Sequence, residues 1–562
     1  MSVETVRLLS RRVFASSWMW RILIAIYIGI TLFVLAPVLF SSVGADDRFW
    51  VLEVAPNSHG SYWQAFWAPT SRAFDFDAQA RTTALALAER RILALFTMDL
   101  ATFFSVPPAA IWAAVKIVLL ALGVFAVLTF LRQLRFRDGQ GQIRGIQPAS
   151  VAFITIALPL TIALGAKSQN VASLNGWNFY PTLTYGPLVV YLLFVVFVLK
   201  CSTLLQRNYR FWVAPVIVVM AVAALILNLS YELLALTIPL CALLLLVQPL
   251  PPPLAGNTLW RRWRGKLTVF VALAGTYSVI FVWIRWRVSQ MECQLTDTCY
   301  PGTVVSLDRH TLWNNLVGAI PGHTRAFVGQ QANSTGRDFP NVSSLSVVVA
   351  VLGATALLGL WVCWKARRKA RATDDDSLDE TTIGKPGDDI RGLLIVIATG
   401  LVIAVGSAMI TGITARAVEM VQTPMLPYRN GVVTWSALAL SGLAGVRLLM
   451  VIRWRAVGYV AVAVLMVVLI GGISLSFPRN VLSAQENRSS VGRPFSDTLH
   501  WEVAMGDNSA AGDERRCEFI RTFQSHQKKP TFNFTRAMNA AYASYDFYHH
   551  KPFCSSGLGH PE

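Results

Sequence analysis

Charge is what this chain lacks. Only 14% of its 562 residues are Asp, Glu, Lys or Arg, against 54% hydrophobic, and a soluble core could not absorb that much apolar surface. There is no Cys-x-x-Cys pair, which argues against a zinc site even though His549 and His550 lie near Cys554. No glycine-rich phosphate loop follows a strand, and no large cytoplasmic segment could house nucleotide-binding machinery. No convincing internal repeat is visible, which weighs against a transporter. The net charge of +18 falls in short clusters between apolar runs, which is the orientation signal of a multi-span protein and not a nucleic-acid footprint.

What is present is a series of long apolar runs, giving a mean hydropathy of +0.49. The first, Ile22 to Phe40, is long enough at about 1.5 Å per residue to cross a hydrocarbon core of about 30 Å. Arg7, Arg11, Arg12 and Arg21 precede it with a single acid, Glu4, so the N-terminus is expected in the cytoplasm. The run exceeds a signal-peptide core, so an uncleaved helix is expected although Val43-Gly44-Ala45 offers small residues for cleavage. Immediately beyond stand Ala45-Asp46-Asp47-Arg48, two adjacent carboxylates on the external side. Side by side they repel, so retaining both suggests a bound cation, a basic neighbour or a shared proton.

Further runs begin near Ala109, Val151, Pro181, Phe211, Leu233, Leu267, Leu345, Leu393, Val432 and Val457. The expected fold class is an α-helical polytopic membrane protein of about 11 spans, with the C-terminus external. Later basic clusters, such as Arg132 to Arg144, Lys365 to Arg371 and Arg447 to Arg455, all fall on the inner side of that topology. The membrane domain is expected over 1–476. Within it, 41–108 forms a first external loop, 285–344 a second, and 365–391 a cytoplasmic linker; 477–562 is an external C-terminal region. The stretch Thr82 to Phe104 carries apolar residues at helical spacing around Glu89, Arg90, Arg91 and Asp99, as an interfacial amphipathic helix would. The run Val151 to Leu164 is short for a span and is expected to be tilted, broken or buried by its neighbours. Cys293, Cys299, Cys517 and Cys554 all fall outside, where Cys293 with Cys299 and Cys517 with Cys554 are the expected local disulfides.

Ionisable groups at outer helix ends are the candidate site, since they are costly near lipid unless they pair or work. They comprise Asp46, Asp47, Arg48, Lys167, Glu232, Arg416, Glu419 and Arg429, with Asp308, Arg309, His310, His323 and Arg325 in the second loop. Arg48 as a neutraliser of Asp47, Glu232 as a helix cap and Arg429 as an interfacial anchor are the structural alternatives.

A first span ending in Asp46-Asp47 within a long external loop, followed by about ten more spans and an external C-terminal portion, resembles the GT-C superfamily of membrane glycosyltransferases. The stretches Ser230-Tyr231-Glu232 and Tyr428-Arg429 resemble polar outer-end positions of bacterial members that build cell-envelope glycans. The tail, with Trp501, Phe534, Tyr542 and Tyr545, resembles the small carbohydrate-contacting domains of actinobacterial arabinosyltransferases. The resemblance implies an inverting transferase in a bacterial inner membrane, with a polyprenyl-phosphate-linked sugar as donor and a glycan or glycolipid as acceptor. It implies one of Asp46 and Asp47 as base, the other as a ligand to the acceptor or to a divalent cation (Mg, Mn or Ca), and Arg429, Arg416 and Lys167 as donor-phosphate partners. A polymerase of the O-antigen-ligase type, using His310, His323 and Arg325, and a lipid or solute transporter are the rival expectations.

Overall fold

The computed structural model describes residues 17–41, 43, 47–71, 84–137, 141–165, 181–250, 259–291, 309, 343–374, 389–413, 428–452, 455–489, 492–526 and 532–556. They are almost wholly helical. Nine of the described helices are long and apolar enough to cross a membrane. In chain order the first elements are α1 (Ser17–Leu39), α2 (Asp47–Asn57), α3 (Tyr62–Thr70), α4 (Ala84–Phe104) and α5 (Pro108–Gln133). A short antiparallel hairpin, β1 (Arg135–Arg137) with β2 (Ile143–Gly145), leads to α6 (Pro148–Gly165), α7 (Pro181–Arg207) and α8 (Tyr209–Leu229). A 3-10 turn at Glu232–Leu236 runs into α9 (Thr237–Val247), and then come α10 (Leu259–Ser289), α11 (Ser344–Asp374), α12 (Ile390–Gly412), α13 (Tyr428–Val451) and α14 (Arg455–Ser489). The chain ends in three helices outside the apolar bundle, α15 (Gly492–Met505), α16 (Ala510–His526) and α17 (Phe532–His549).

Two hydrophobic cores result. The larger runs through the bundle, from Tyr27 and Leu39 of α1 to Leu469 and Ile473 of α14. The smaller joins the beginning of the chain to its end: Phe49, Leu52 and Ala55 of α2, Leu95 and Met98 of α4 and Trp112 of α5 pack with Leu499, Ile520, Met538 and Tyr545. Segments read from the sequence as a loop and a separate tail therefore share one core. Both lie on one side of the bundle, so the number of crossings between α1 and α15 has to be even. Eight long helices satisfy that parity. It also requires the two shorter apolar helices, Pro148–Leu164 and Glu232–Val247, to cross together or not at all.

In α6, Pro159 lacks an N–H and breaks the regular ladder. The buried Tyr27 hydroxyl of α1 inserts there, donating to Ile156 O at 2.7 Å and accepting from Leu160 N–H at 3.3 Å. Trp435 of α13 donates its indole N–H to Thr161 O at 3.0 Å. In lipid every backbone group needs such a partner, so this short helix is viable only where neighbours supply them. At its other end Asp389 is fully buried and accepts from Gln147 N–H at 2.9 Å and from Ser150 Oγ, which also accepts from Arg447 Nε at 2.8 Å.

The tightest pairing is α12 against α13, run antiparallel through small residues. Gly400 faces Ala437 and Ser441, Ser407 Oγ meets Thr434 Oγ1 at 2.8 Å, and Ser441 Oγ donates to Ile397 O at 2.9 Å. Without a hydrophobic drive between helices in lipid, close backbone approach supplies the attraction. A side chain at Gly400 would place its Cβ 2.6 Å from Ala437 O. Gly400→Leu is therefore expected to cost about 1–3 kcal/mol as overpacking, whereas Gly442→Leu, where the added carbon meets nothing, costs little. Thermal unfolding of the two variants in nanodiscs measures the difference.

Candidate functional site

One end of the bundle is assembled where α1 stops. Its last carbonyls, Val38 O and Leu39 O, accept from the ammonium of Lys116 at 3.1 and 3.4 Å, and Ser41 Oγ lies 3.2 Å from the same nitrogen. Lys116 is fully buried, about two turns inside α5. A cation at a helix C-terminus is favoured by the helix dipole, so the charge fixes the point at which the chain leaves lipid. Sequence reading passed over this residue. The available signal was a single lysine inside an otherwise apolar run.

From there the chain reaches α2, of which Asp47 is the first residue. An acid at a helix N-terminus is likewise favoured. The side chain of Asp47 and all of Asp46 lie outside the described residues. Their neighbour is held firmly: Arg48 O accepts from His500 Nε2 of α15 at 2.7 Å, and the Arg48 guanidinium lies 4.6 Å from the Phe49 ring centroid. Phe49 takes a second guanidinium, that of Arg536 in α17, at 4.8 Å. Arg536 is also forked onto Glu53 of α2, with Nε to Oε1 at 2.5 Å and an Nη2 to Oε2 bond of 2.7 Å. Bidentate pairing of this kind fixes geometry as well as energy.

Asp99 of α4 ties the layers a second time. It accepts from Tyr62 of α3 at 2.7 Å and from Tyr548 of α17 at 2.6 Å. Burial and the adjacent carboxylate push both phenols well above their usual range, so they remain donors. The C-terminal helices are further closed by the Cys517–Cys554 disulfide and by the buried Arg516, whose Nε donates to Phe553 O at 2.6 Å while its charge faces Tyr545 at 4.4 Å.

Over this end α4 presents Glu89, Arg90 and Arg91. Arg90 lies 5.3 Å from the Trp50 ring of α2, and the start of α4 packs on the C-terminal end of α8 through Ala84 and Leu229. Glu89 keeps a solvent-accessible face, yet protein crowds its carboxyl, and that desolvation raises its pKa above the ordinary value. Thr182 at the start of α7 and the charge of Arg90 oppose the shift more weakly. Desolvation also lowers the pKa of Arg91. A raised pKa lets a carboxyl keep its proton to higher pH than usual, a property that acid–base chemistry can use. The sequence had shown Glu89 only as part of an amphipathic face.

The remaining expected residues divide plainly. Glu232 opens the 3-10 turn and is exposed. Arg429 is the second residue of α13, at the helix N-terminus as the sequence implied, with its side chain outside the described residues. Arg309 is exposed. Lys167, Arg416, Glu419, Asp308, His310, His323, Arg325, Cys293 and Cys299 lie outside the described residues. Among the described residues no three His, Cys, Asp or Glu side chains gather as metal ligands. In the tail, Tyr542 and Tyr545 belong to the core and are buried, which removes them as sugar-contacting surface, whereas Trp501 is 39% exposed. Exposed aromatics near this end include Trp63 and Trp67 of α3, stacked at 5.5 Å, and Phe103 and Phe104 at the entry to α5. That position suits a headgroup-level aromatic belt.

The chain matches no family model, no curated protein and no solved structure.

His500 gives the site a pH dependence. It is buried, and desolvation lowers its pKa, against the Arg48 carbonyl and Asp497, which favour the charged form, and with the Arg48 charge, which disfavours it. The folded ring stays neutral where an unfolded one takes up a proton. Stability is then complete above the ordinary value of 6.5 and is lost as pH falls below it toward the folded pKa. Hydrogen exchange of α15 at pH 5 and 7.5, corrected for intrinsic rates, should show protection falling at pH 5 in the wild type. The pH-dependent part should vanish in His500→Gln; an unchanged dependence would remove His500 as its source.

Proposed function

We propose that the chain is a membrane glycosyltransferase that moves a sugar from a polyprenyl-phosphate carrier to a cell-envelope glycan or glycolipid on the external face. The observation that carries this reading is the jointly built second core, which fixes α2 from Phe49 onward beside the end of α1, next in sequence to the acidic pair. A site for a membrane-soluble donor and a water-soluble acceptor needs that position. A roof of interfacial helices that limits water also fits.

In the reaction the acceptor hydroxyl oxygen attacks the anomeric carbon, and the bond from that carbon to the phosphate oxygen breaks on the opposite face. The hydroxyl proton passes to a carboxylate, Asp46 or Asp47. The electron pair leaves with the polyprenyl phosphate, whose negative charge needs a cation. Arg429 at the N-terminus of α13, Arg416 and Lys167 are the proposed partners, and the helix dipole adds to the first. Glu89 adds a third carboxyl at that surface, with a raised pKa that suits holding or exchanging a proton with the acceptor. A divalent cation on the acidic pair would supply further charge to the leaving phosphate; no step here is routed through it.

The test is transfer from a panel of radiolabelled polyprenyl-phosphate sugars to envelope glycans by protein in nanodiscs. Loss of a general base is expected to lower the rate by about 10²–10⁴-fold in Asp46→Asn or Asp47→Asn, with folding retained. Glu89→Gln is expected to shift the acidic limb of the pH–rate profile. A wild type that transfers nothing from any donor, or two Asp variants as active as wild type, would move the late-loop residues His310, His323 and Arg325 to the front.

A further inference from the structure

At the opposite end of the bundle the chain closes around a cavity of about 760 Å³. Four elements meet there: β1 just after α5, the exit of α9, the start of α10 and the start of α12. Convergence of span ends puts the cavity at the depth of lipid headgroups. Its apolar wall includes Leu246, Trp263 and Leu394. Leu246 is 65% exposed and Leu394 49%, so the wall continues onto the flank of the bundle where acyl chains run.

Its other side is cationic. Arg137 lines the cavity and is exposed; its partners are two carbonyls, Gly141 O at 3.3 Å and Leu250 O at 3.1 Å. Carbonyls orient a guanidinium and leave its charge in place. Arg391 also lines the cavity and donates to the backbone carbonyl of Arg137 at 2.9 Å, so two arginines contribute to the lining. Behind them Lys266 is buried, with its ammonium on Gln248 O and 5.0 Å from the Trp263 ring. The side-chain Oε1 of Gln248, another lining residue, is buried and accepts no hydrogen bond from a described residue.

Positive charge at the water side, an unfilled acceptor beside it and an apolar wall opening to the membrane together describe one kind of ligand. We infer that this cavity is a specific seat for an anionic glycerophospholipid whose headgroup carries a free hydroxyl, with phosphatidylglycerol as the simplest example. The phosphate engages Arg137 and Arg391, a headgroup hydroxyl donates to Gln248 Oε1, and the upper acyl segments lie along Leu246 and Leu394. The seat is at the end of the bundle away from the acidic pair, and does not depend on the proposed reaction.

The test is lipid retention by native mass spectrometry, with thermal shift in parallel, for full-length protein titrated with phosphatidylglycerol, phosphatidylcholine or inorganic phosphate. Wild type is expected to retain and be stabilised by phosphatidylglycerol over phosphatidylcholine, with no response to inorganic phosphate. In Arg137→Gln/Arg391→Gln the apparent affinity for phosphatidylglycerol should fall about tenfold or more, at about 1 kcal/mol per cation near an anionic surface. Arg137→Lys/Arg391→Lys, which keeps the charge, and Arg210→Gln, an exposed cation elsewhere, should retain it. Gln248→Leu should erase the preference for phosphatidylglycerol over phosphatidylmethanol, which lacks the hydroxyl. Equal retention of the two natural lipids by wild type, undiminished retention by the double Gln variant, loss in the double Lys variant, or an equal response to inorganic phosphate would overturn the inference.

Discussion

The fork between Glu53 and Arg536 joins residues 483 apart in sequence, and the rest of the architecture at that end of the bundle depends on that closure. Bringing such distant segments together is not prohibitive, since the entropy of closing a chain grows only with the logarithm of its length. The bundle has also already brought the two ends to the same side. What the closure needs is a favourable surface at the meeting point. Phe49 provides it, with Arg48 and Arg536 about its ring and the core of Met538, Ala541 and Tyr545 beyond. Lys116 fixes the exit of α1, Asp99 binds the flanking layers, and the disulfide limits how far the last helices can open.

Inside the bundle the governing constraint differs. Backbone groups without water must find partners in the protein, and α6 is the clearest instance. The Tyr27 hydroxyl and the Trp435 indole satisfy groups around Pro159, and the Asp389 cluster caps the other end. The proline-bearing helix α6 is thereby tied to both α1 and α13.

Much of this was legible in the sequence, because a span is written in consecutive residues. The run Ile22 to Phe40 became Ser17–Leu39, the run from Ala109 became Pro108–Gln133, and the amphipathic stretch from Thr82 became Ala84–Phe104. Cys517 and Cys554 pair as their shared compartment suggested. Short Val151 to Leu164 lies in one continuous helix with Pro159 inside it and is buried by its neighbours. The second core was not legible, since a periodic pattern reveals that a helix has an apolar face and not which distant helix covers it. Tyr542 and Tyr545 looked like binding surface for that reason, and are core. Glu89 was passed over because crowding, and not residue type, makes it distinctive, whereas Lys116 carried a signal as the one lysine of an apolar run. The acidic pair rests on its position in the sequence alone.

The central claim is that the two ends of the chain are energetically one unit holding the exit of α1. A double-mutant cycle on Glu53→Gln and Arg536→Gln, read by unfolding in nanodiscs, tests it most directly. The pair is partly exposed, 21% and 35%, so its coupling is expected at about 0.5–1.5 kcal/mol and to shrink at high salt. Strictly additive single-variant effects would contradict the account, because the first loop and the C-terminal helices would then be stable independently of each other.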